Sequence, residues 1–264
     1  MSTFKLDHIS ISQYGTWSKC QLQWYFNKIE GLKIPPRSDM IVGSGVHAGA
    51  ETIYRQKKTL DQYNLSEALD ATRDYVEYAD VKEEVDWDTP KGDVKDTAVN
   101  MLKVYSSDVR IPDKIPNDSI EAVELPLSIR LKRGKSDVLI KARPDLVLTD
   151  KIVDIKTTGK TPSTIPMIVI LQTHLYATAL GKKETGAHYI IRKKNPTAFE
   201  REIKPVSKDS MNVVQNLLID FWESLQVAIK SGNFLPTGIS ADAWVCDYCG
   251  YGRTGKCPYY RLKK

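Results

Sequence analysis

Two aspartates and a lysine in residues 143–156 stand at offsets that could build a reactive site. Short apolar runs on either side of a polar turn at 149–150 predict a β-hairpin. Across that hairpin Asp145 would face Asp154, with about 5 Å between their Cβ atoms. Side chains alternate along a strand, so Lys156 would share the face that carries Asp154. The sequence therefore predicts two acids and one ammonium on a single face.

This group of charges suits a divalent cation with oxygen ligands. In such a site the cation activates water and stabilises charge on a phosphoryl group, while a lysine positions or deprotonates the nucleophile. The alternative is a solvated hairpin whose charges are simply exposed, because short charge patterns recur by chance. The hairpin alone leaves both interpretations open.

Length and composition limit the class of protein to which the chain can belong. Its 264 residues, 41% of them hydrophobic, are enough for one sizeable core. A formal net charge of +5 permits a polyanionic partner without requiring one. There is no secretory signal and no run of about 18 apolar residues. We therefore expect a soluble intracellular protein, in which four cysteines are metal ligands or reduced thiols and not a disulfide framework.

Hydrophobic periodicity surrounds the hairpin with further helices and strands. Together they predict a mixed sheet with helices on it, an α/β or α+β core with a helical insertion. Ser10 or Ser12 would cap the first helix and Asp209 the last one, which ends near Gly232. The other predicted helices cover 42–54, 64–78, 95–105 and 166–181, and the other predicted strands cover 120–131, 138–142, 186–193 and 199–206.

Two pairs of side chains stand four residues apart on predicted helices, and hence on one helical face. The first pair is His47 and Glu51, and the second is Gln172 and Tyr176. A lone histidine and glutamate at this spacing form a surface pair more often than a metal site. Spacing alone therefore gives neither pair a function.

Three of the four cysteines lie close together near the C-terminus, at Cys246, Cys249 and Cys257. Two cysteines separated by two residues, with a third after a glycine-rich loop, have the spacing of ligands in a tetrahedral sulfur site. Cys20, taken by itself, would be interpreted as a buried apolar residue. A site that also used Cys20 would join the two ends of the chain and leave no cysteine over. Zinc and an iron-sulfur cluster both fit four thiolates.

Several motifs and the cysteine set together carry a resemblance to a known family. They are Gly43-x3-His47, Arg143-Pro144-Asp145, Asp154-Ile155-Lys156-Thr157, Gln172-x3-Tyr176 and the cysteines at 20, 246, 249 and 257. In this order the chain resembles a RecB-type nuclease of the PD-(D/E)XK superfamily. More narrowly, it is similar to the iron-sulfur branch that includes the CRISPR-associated Cas-four nucleases and the AddB nuclease domain. The resemblance spans nearly the whole chain.

The resemblance implies a role for each matching residue. The side-chain metal ligands would be His47, Asp145 and Asp154, with the backbone carbonyl of Ile155 as a further ligand and Lys156 as the catalytic lysine. Gln172 and Tyr176 match the family's QxxxY motif and would act near the active site and the DNA strand, with Tyr176 among the aromatic side chains available for stacking. Cys20, Cys246, Cys249 and Cys257 match the ligands of a chiefly structural [4Fe-4S] cluster.

One acidic residue and one local departure accompany these assignments. Glu124 is a further acidic candidate for the site, without an assigned role. The family usually has a glycine ahead of the first aspartate, whereas this chain has Ala142-Arg143-Pro144 before Asp145. We expect this departure to change the strand geometry and not the chemistry.

The implied fold is a mixed central sheet of the restriction-endonuclease-like type, flanked by helices, with a cysteine-ligated cluster joining the N- and C-termini. The resemblance also implies a single nuclease domain over residues 1–264. Within it, 42–110 would be the helical portion, 120–206 the catalytic sheet core, and 1–30 with 241–264 the iron-sulfur subdomain.

The implied function is a Mg2+- or Mn2+-dependent deoxyribonuclease, acting as an exonuclease on single-stranded DNA ends in repair, recombination or CRISPR adaptation. Expected partners are DNA, a helicase, recombination or CRISPR integration protein, and other copies of the chain, without a membrane. We expect cytoplasmic, nucleoid-associated DNA processing. Two alternatives stay open: a catalytically silent DNA-binding or adaptor protein that keeps the fold as a scaffold, and a zinc-knuckle module attached to an unrelated α/β domain.

Overall fold

The computed structural model describes residues 6–203, 205–236 and 244–259, and their secondary structure is mixed. The strands are β1 (Ile120–Val123), β2 (Leu127–Arg133), β3 (Ser136–Ala142), β4 (Leu146–Leu148), β5 (Lys151–Thr158), β6 (Glu184–Ile191) and β7 (Thr197–Ile203). The helices are α1 (Ile11–Lys19), α2 (Gln21–Lys28), α3 (Ser38–Leu60), α4 (Leu65–Glu77), α5 (Ala79–Lys82), α6 (Lys91–Lys103), α7 (Met167–Ala179), α8 (Lys208–Ser231), α9 (Trp244–Asp247) and α10 (Gly250–Arg253). None of the helices that the structure describes is long and apolar enough to span a bilayer.

The chain divides into two compact units. The sheet unit comprises Pro35–Leu127 and Arg143–Met211, and the terminal unit comprises Met1–Ile34, Ser128–Ala142 and Asn212–Lys264. Parts of the segments expected to form an iron-sulfur subdomain, residues 1–5, 241–243 and 260–264, lie outside the described residues. The expected division of a single domain into helical, sheet and cluster portions stays a proposal.

The sheet unit is built on a mixed five-stranded sheet with the order β1-β4-β5-β6-β7. Strands β5 and β6 are parallel, joined through α7, whereas the other neighbours are antiparallel. The predicted hairpin is present, with Leu146 opposite Val153 and a turn at 149–150. A mixed central sheet flanked by helices confirms the predicted α/β fold class.

Helix α3 packs against this sheet through its apolar and small residues. Val46, Ala50 and Ile53 are fully buried, because apolar residues recur at helical spacing along one face. Close approach requires a glycine: a Cβ on Gly43 would lie only 2.7 Å from Thr157 Oγ1 in β5. This close contact sets how near to β5 the next turn of α3, which carries His47, can lie.

The terminal unit contains α1, α2 and a separate two-stranded sheet of β2 and β3. As predicted, Ser10 caps α1, because its hydroxyl oxygen accepts a hydrogen bond from the Gln13 amide at 3.2 Å. Gly134 turns β2 into β3 with a positive φ of 58°. The Trp24 and Phe234 rings stack with centroids 6.2 Å apart, so aromatic packing supplies much of the core of this unit.

Two local predictions differ from the structure. The strand predicted over 120–131 is two strands in different sheets, because Pro126 cannot donate a ladder hydrogen bond and Glu124 has a left-handed φ of 51°. At the start of α8, Ser207 and Ser210 cap each other's amide groups at 3.0 and 3.1 Å. Asp209 lies in the first turn of that helix and is not its cap.

Candidate active site

Three elements of the sheet unit bring the candidate residues together. Helix α3 presents His47 one turn beyond the close contact at Gly43. The hairpin of β4 and β5 places Asp145 and Asp154 at its open end, because Leu146 pairs with Val153 one position inside them. Strand β1 ends at Val123, immediately before Glu124.

A candidate metal-binding group consists of His47, Glu124 and Asp145. Each residue offers one ligand atom, and these atoms lie within 4.8 Å of one another. His47 Nδ1 is 4.0 Å from Asp145 Oδ1. Glu124, expected only as a further acidic candidate without an assigned role, is brought towards Asp145 by the left-handed turn that ends β1.

The backbone of β5 helps to hold this group. The Ile155 amide donates a hydrogen bond of 2.6 Å to Asp145 Oδ2, while the Glu124 amide donates one of 2.9 Å to the Asp145 carbonyl. The Ile155 backbone is also a hydrogen-bond partner of the His47 imidazole. The residue expected to contribute a carbonyl ligand therefore lies beside the candidate metal group.

A second group of polar side chains surrounds Asp154, which is 2% exposed. Its Oδ1 accepts hydrogen bonds from Lys156 Nζ at 2.9 Å and from Gln172 Nε2 at 3.0 Å. Its Oδ2 lies 2.8 Å from the same ammonium but, among the described residues, has no hydrogen bond of acceptable geometry. Asp154 is not part of the group formed by His47, Glu124 and Asp145. Its buried Oδ2 could nevertheless bind a cation, because it accepts no hydrogen bond from a described residue.

Tyr176 lies one turn beyond Gln172 on α7 and is 5% exposed. Burial raises the pKa of its phenol, and the carboxylates of Asp154 and Asp145 act in the same direction. A side chain so deeply buried offers no free face to a nucleic-acid base. The burial of Tyr176 speaks against a stacking role, and its action near the active site stays a prediction.

The electrostatics of the site follow from burial and from one lysine. Burial raises the pKa of Asp145 and of Asp154 to about 6, and the ammonium of Lys156 only partly offsets that rise. Burial alone would lower the pKa of Lys156, but the two carboxylates outweigh it and the pKa lies above its usual value. Burial, followed by the charge of Lys156, lowers the pKa of His47. Near neutral pH the site therefore holds a neutral imidazole beside an ammonium.

An open cleft of about 700 Å³ leads to the site. His47 and Glu124 line it, and Arg143, which forms an ion pair with Glu124, lies at its edge. Glu51 also faces the cleft and pairs with Arg55 at 2.7 Å, so it does not join His47 in the compact group. Of the candidate ligands, His47 and Glu124 are thus accessible from the cleft.

The four cysteines line one cavity in the terminal unit, together with apolar side chains such as Leu22 and Phe26. Burial raises the pKa of the Cys246 thiol, and the other three cysteines add to that rise. No three cysteine sulfurs of the described chain approach one another within 4.8 Å. The four cysteines are therefore grouped around one shared cavity.

Comparisons with known proteins show the family of this chain. A model of the PD-(D/E)XK nuclease superfamily matches residues 8–254. No curated protein matches the chain. Among solved structures, a candidate exonuclease from Eubacterium rectale has 10% sequence identity and a TM-score of 0.53, covering 98% of this chain and 90% of that one. A second solved structure, of a protein named SSO0001, has 13% identity and a TM-score of 0.40, with 88% and 89% covered. At such identities structural similarity speaks for the fold alone.

Proposed function

This chain belongs to the PD-(D/E)XK nuclease superfamily, and from that premise we propose that it is a divalent-metal-dependent deoxyribonuclease that shortens single-stranded DNA from an end. The observation that carries the proposal is the convergence of ligand atoms of His47, Glu124 and Asp145 within 4.8 Å, beside an open cleft that His47 and Glu124 line. The exonuclease assignment is supported by the name of the similar Eubacterium rectale structure.

The residues present fit a hard divalent cation. Carboxylate oxygens suit Mg2+ and Mn2+, and the low pKa of His47 leaves its imidazole neutral, which is the form that binds metals. The unsatisfied Oδ2 of buried Asp154 is a further available ligand atom. A cation bound here would supply charge neutralisation for a phosphodiester and a lower pKa for the attacking water.

Lys156, Gln172 and Tyr176 would then have separate roles in binding and positioning. Because its pKa is raised, Lys156 stays an ammonium near neutral pH, so it donates a hydrogen bond to the attacking water or a phosphate oxygen. It is not suited to removing a proton in that state. Gln172 orients Asp154 through the 3.0 Å hydrogen bond, and Tyr176 packs behind it as a buried positioning residue.

For the four cysteines we propose a [4Fe-4S] cluster. The proposal is supported by the shared cavity that all four cysteines line and by their order along the chain, which resembles that of the iron-sulfur branch. Zinc also fits four thiolates and is the alternative. Visible absorbance of anaerobically purified protein separates the two, because a zinc site is colourless and an iron-sulfur cluster is brown.

The first experiment is degradation of end-labelled single-stranded and duplex DNA in Mg2+ or Mn2+ by anaerobically purified protein. The wild type is expected to shorten single strands, and Lys156→Ala to lose at least a hundredfold in rate, whereas Lys95→Ala serves as a surface control. Cleavage only at internal sites of closed circles would contradict the exonuclease assignment. If the wild type binds DNA without cutting it, the scaffold interpretation replaces the nuclease one.

A further inference from the structure

A cluster of basic residues, which we call the basic rim, lies where the two parallel strands end. It consists of Lys160 after β5 and of Arg192, Lys193 and Lys194 after β6. The Arg192 amide donates a hydrogen bond of 2.8 Å to the Thr158 carbonyl, which holds the two strand ends together. Parallel strands end at the same edge of a sheet, and ligands of α/β proteins commonly bind there.

The basic rim borders the cleft of the candidate active site. A smaller cavity of about 60 Å³, lined by Gly159 and Arg192, shares Asp39 and Thr157 with the large cleft. Thr157 follows Lys156 directly, and Thr158 lies two residues beyond it, or about 7 Å along the strand. That distance is comparable with the spacing of neighbouring phosphates in a nucleic-acid strand.

The charge of the basic rim is mostly uncompensated. Arg192 is 37% exposed, and Nη2 lies 3.8 Å from Asp39, a partner that is 54% exposed. In the part of the chain that the structure describes, this long contact is the one ion pair made by the four cations. An exposed pair at that separation contributes little, so the guanidinium can exchange it for another anion.

The cleft needs such a positive partner to hold a polyanion. The acids that line it, Asp39, Glu51 and Glu124, outnumber its one arginine, Arg143, so the cleft itself offers a phosphate backbone no net positive charge. Resting on the function proposed above, we infer that the basic rim is a phosphate subsite. It binds the backbone of the strand being cut, beside the scissile phosphate, through Arg192 and Lys193.

The test is binding of fluorescent single-stranded oligo-dT over a series of salt concentrations, in Ca2+, with cleavage in Mn2+ measured separately. Each cation that neutralises a phosphate contributes about 0.7 to the slope of log affinity against log salt. Arg192→Gln/Lys193→Gln should therefore reduce the slope by about 1.4 and weaken binding at least tenfold at low salt. The charge-preserving variant Arg192→Lys/Lys193→Arg should keep most of the wild-type slope and most of the wild-type affinity.

A matched control removes the same two charges elsewhere in the sheet unit. Arg73→Gln/Lys95→Gln breaks exposed ion pairs with Asp70 and Glu77 and should leave the slope unchanged. If the wild type cuts DNA but the rim variant keeps the wild-type slope, the subsite is wrong and the nuclease function stands. If the charge-preserving variant binds as weakly as the neutral one, the rim acts through structure and not charge, which also overturns the subsite. If the wild type neither binds nor cuts DNA, both proposals fail.

Discussion

At the scale of single residues, the site depends on two acids whose pKa is raised by burial. Asp145 is held by one backbone amide at 2.6 Å and is 13% exposed. Its pKa in the folded chain is about 6, against 3.8 for the ordinary side chain. The fold therefore stores an unfavourable charge at neutral pH, which a bound cation would offset.

This shift predicts how Asp145→Asn changes stability with pH in the presence of a chelator. Because the pKa of Asp145 is higher in the folded than in the unfolded chain, this acid stabilises the fold fully below pH 3.8. That contribution to the free energy of unfolding is lost as the pH rises through about 6. Relative to wild type, the asparagine variant should thus gain up to about 3 kcal/mol between pH 4 and pH 8. Urea unfolding at several pH values measures the gain. Asp150→Asn, in the exposed hairpin turn, is the control, and an equal gain there would contradict the assignment.

A buried hydroxyl predicts a stabilising substitution. Tyr189 is 2% exposed, and no described residue makes a hydrogen bond with its hydroxyl. Replacing a buried unsatisfied group by an apolar one of the same shape removes a desolvation penalty, so Tyr189→Phe should raise the free energy of unfolding by about 1 kcal/mol. Denaturant unfolding gives the value.

The matched variant for this measurement is Tyr105→Phe. Its hydroxyl contacts that of Tyr54 and lies 2.7 Å from His188 Nδ1, all three side chains being buried. Losing these partners should lower the free energy of unfolding by about 1 to 3 kcal/mol. If Tyr189→Phe and Tyr105→Phe changed the free energy of unfolding equally, hydrogen bonding of the hydroxyl would not be the cause of either change.

At the scale of elements, the contact of α3 with β5 sets the position of His47. A Cβ on Gly43 would lie 2.7 Å from Thr157 Oγ1 but 3.9 Å from Thr157 Cβ. Gly43→Ala should therefore push the helix away, costing about 1 to 3 kcal/mol of stability and at least tenfold in nuclease rate. The double variant Gly43→Ala/Thr157→Ala, which lacks the obstructing oxygen, should recover most of the loss measured against Thr157→Ala alone.

A glycine on another helix provides the control for that experiment. A Cβ on Gly92, in the first turn of α6, meets no atom within 4 Å. Gly92→Ala should consequently be neutral or slightly stabilising. If the double variant at Gly43 and Thr157 stays as inactive as the single one, close approach is not what positions His47.

Some of these elements could be predicted from the sequence and others could not. Period and turn chemistry were enough for the hairpin and for the Ser10 cap, because both are local. The end of β1 was missed, since an apolar alternation across Pro126 concealed the turn at Glu124. The basic rim could not be predicted for a different reason. Lys160 and Arg192 lie at the same edge of the sheet only because β5 and β6 are parallel neighbours.

At the scale of the whole molecule, the cysteines predict a cofactor that contributes to stability. Cys249→Ser should abolish the visible absorbance and lower the unfolding free energy by about 3 kcal/mol, or the melting temperature by roughly 6 to 12 °C. Spectra and thermal melting of anaerobic protein test both. Tyr248→Ala, at a 72% exposed position between Cys246 and Cys249, two of the proposed ligands, should keep the colour. A colourless wild type of unchanged stability would exclude the cluster.

The two units differ in when the ribosome can complete them. The sheet unit draws on residues up to Met211, whereas the terminal unit joins segments from both ends of the chain. Leu235 reaches back to Gln21 at 2.9 Å, and the Tyr251 hydroxyl reaches back to the Leu32 carbonyl at the same distance. At 5 to 20 residues per second, translation of the segment after Met211 takes about 3 to 10 s. During that interval a nascent chain already contains His47, Glu124 and Asp145 but only one of its four cysteines, so the cluster proposed for the cysteines would be inserted only after the sheet unit has been translated.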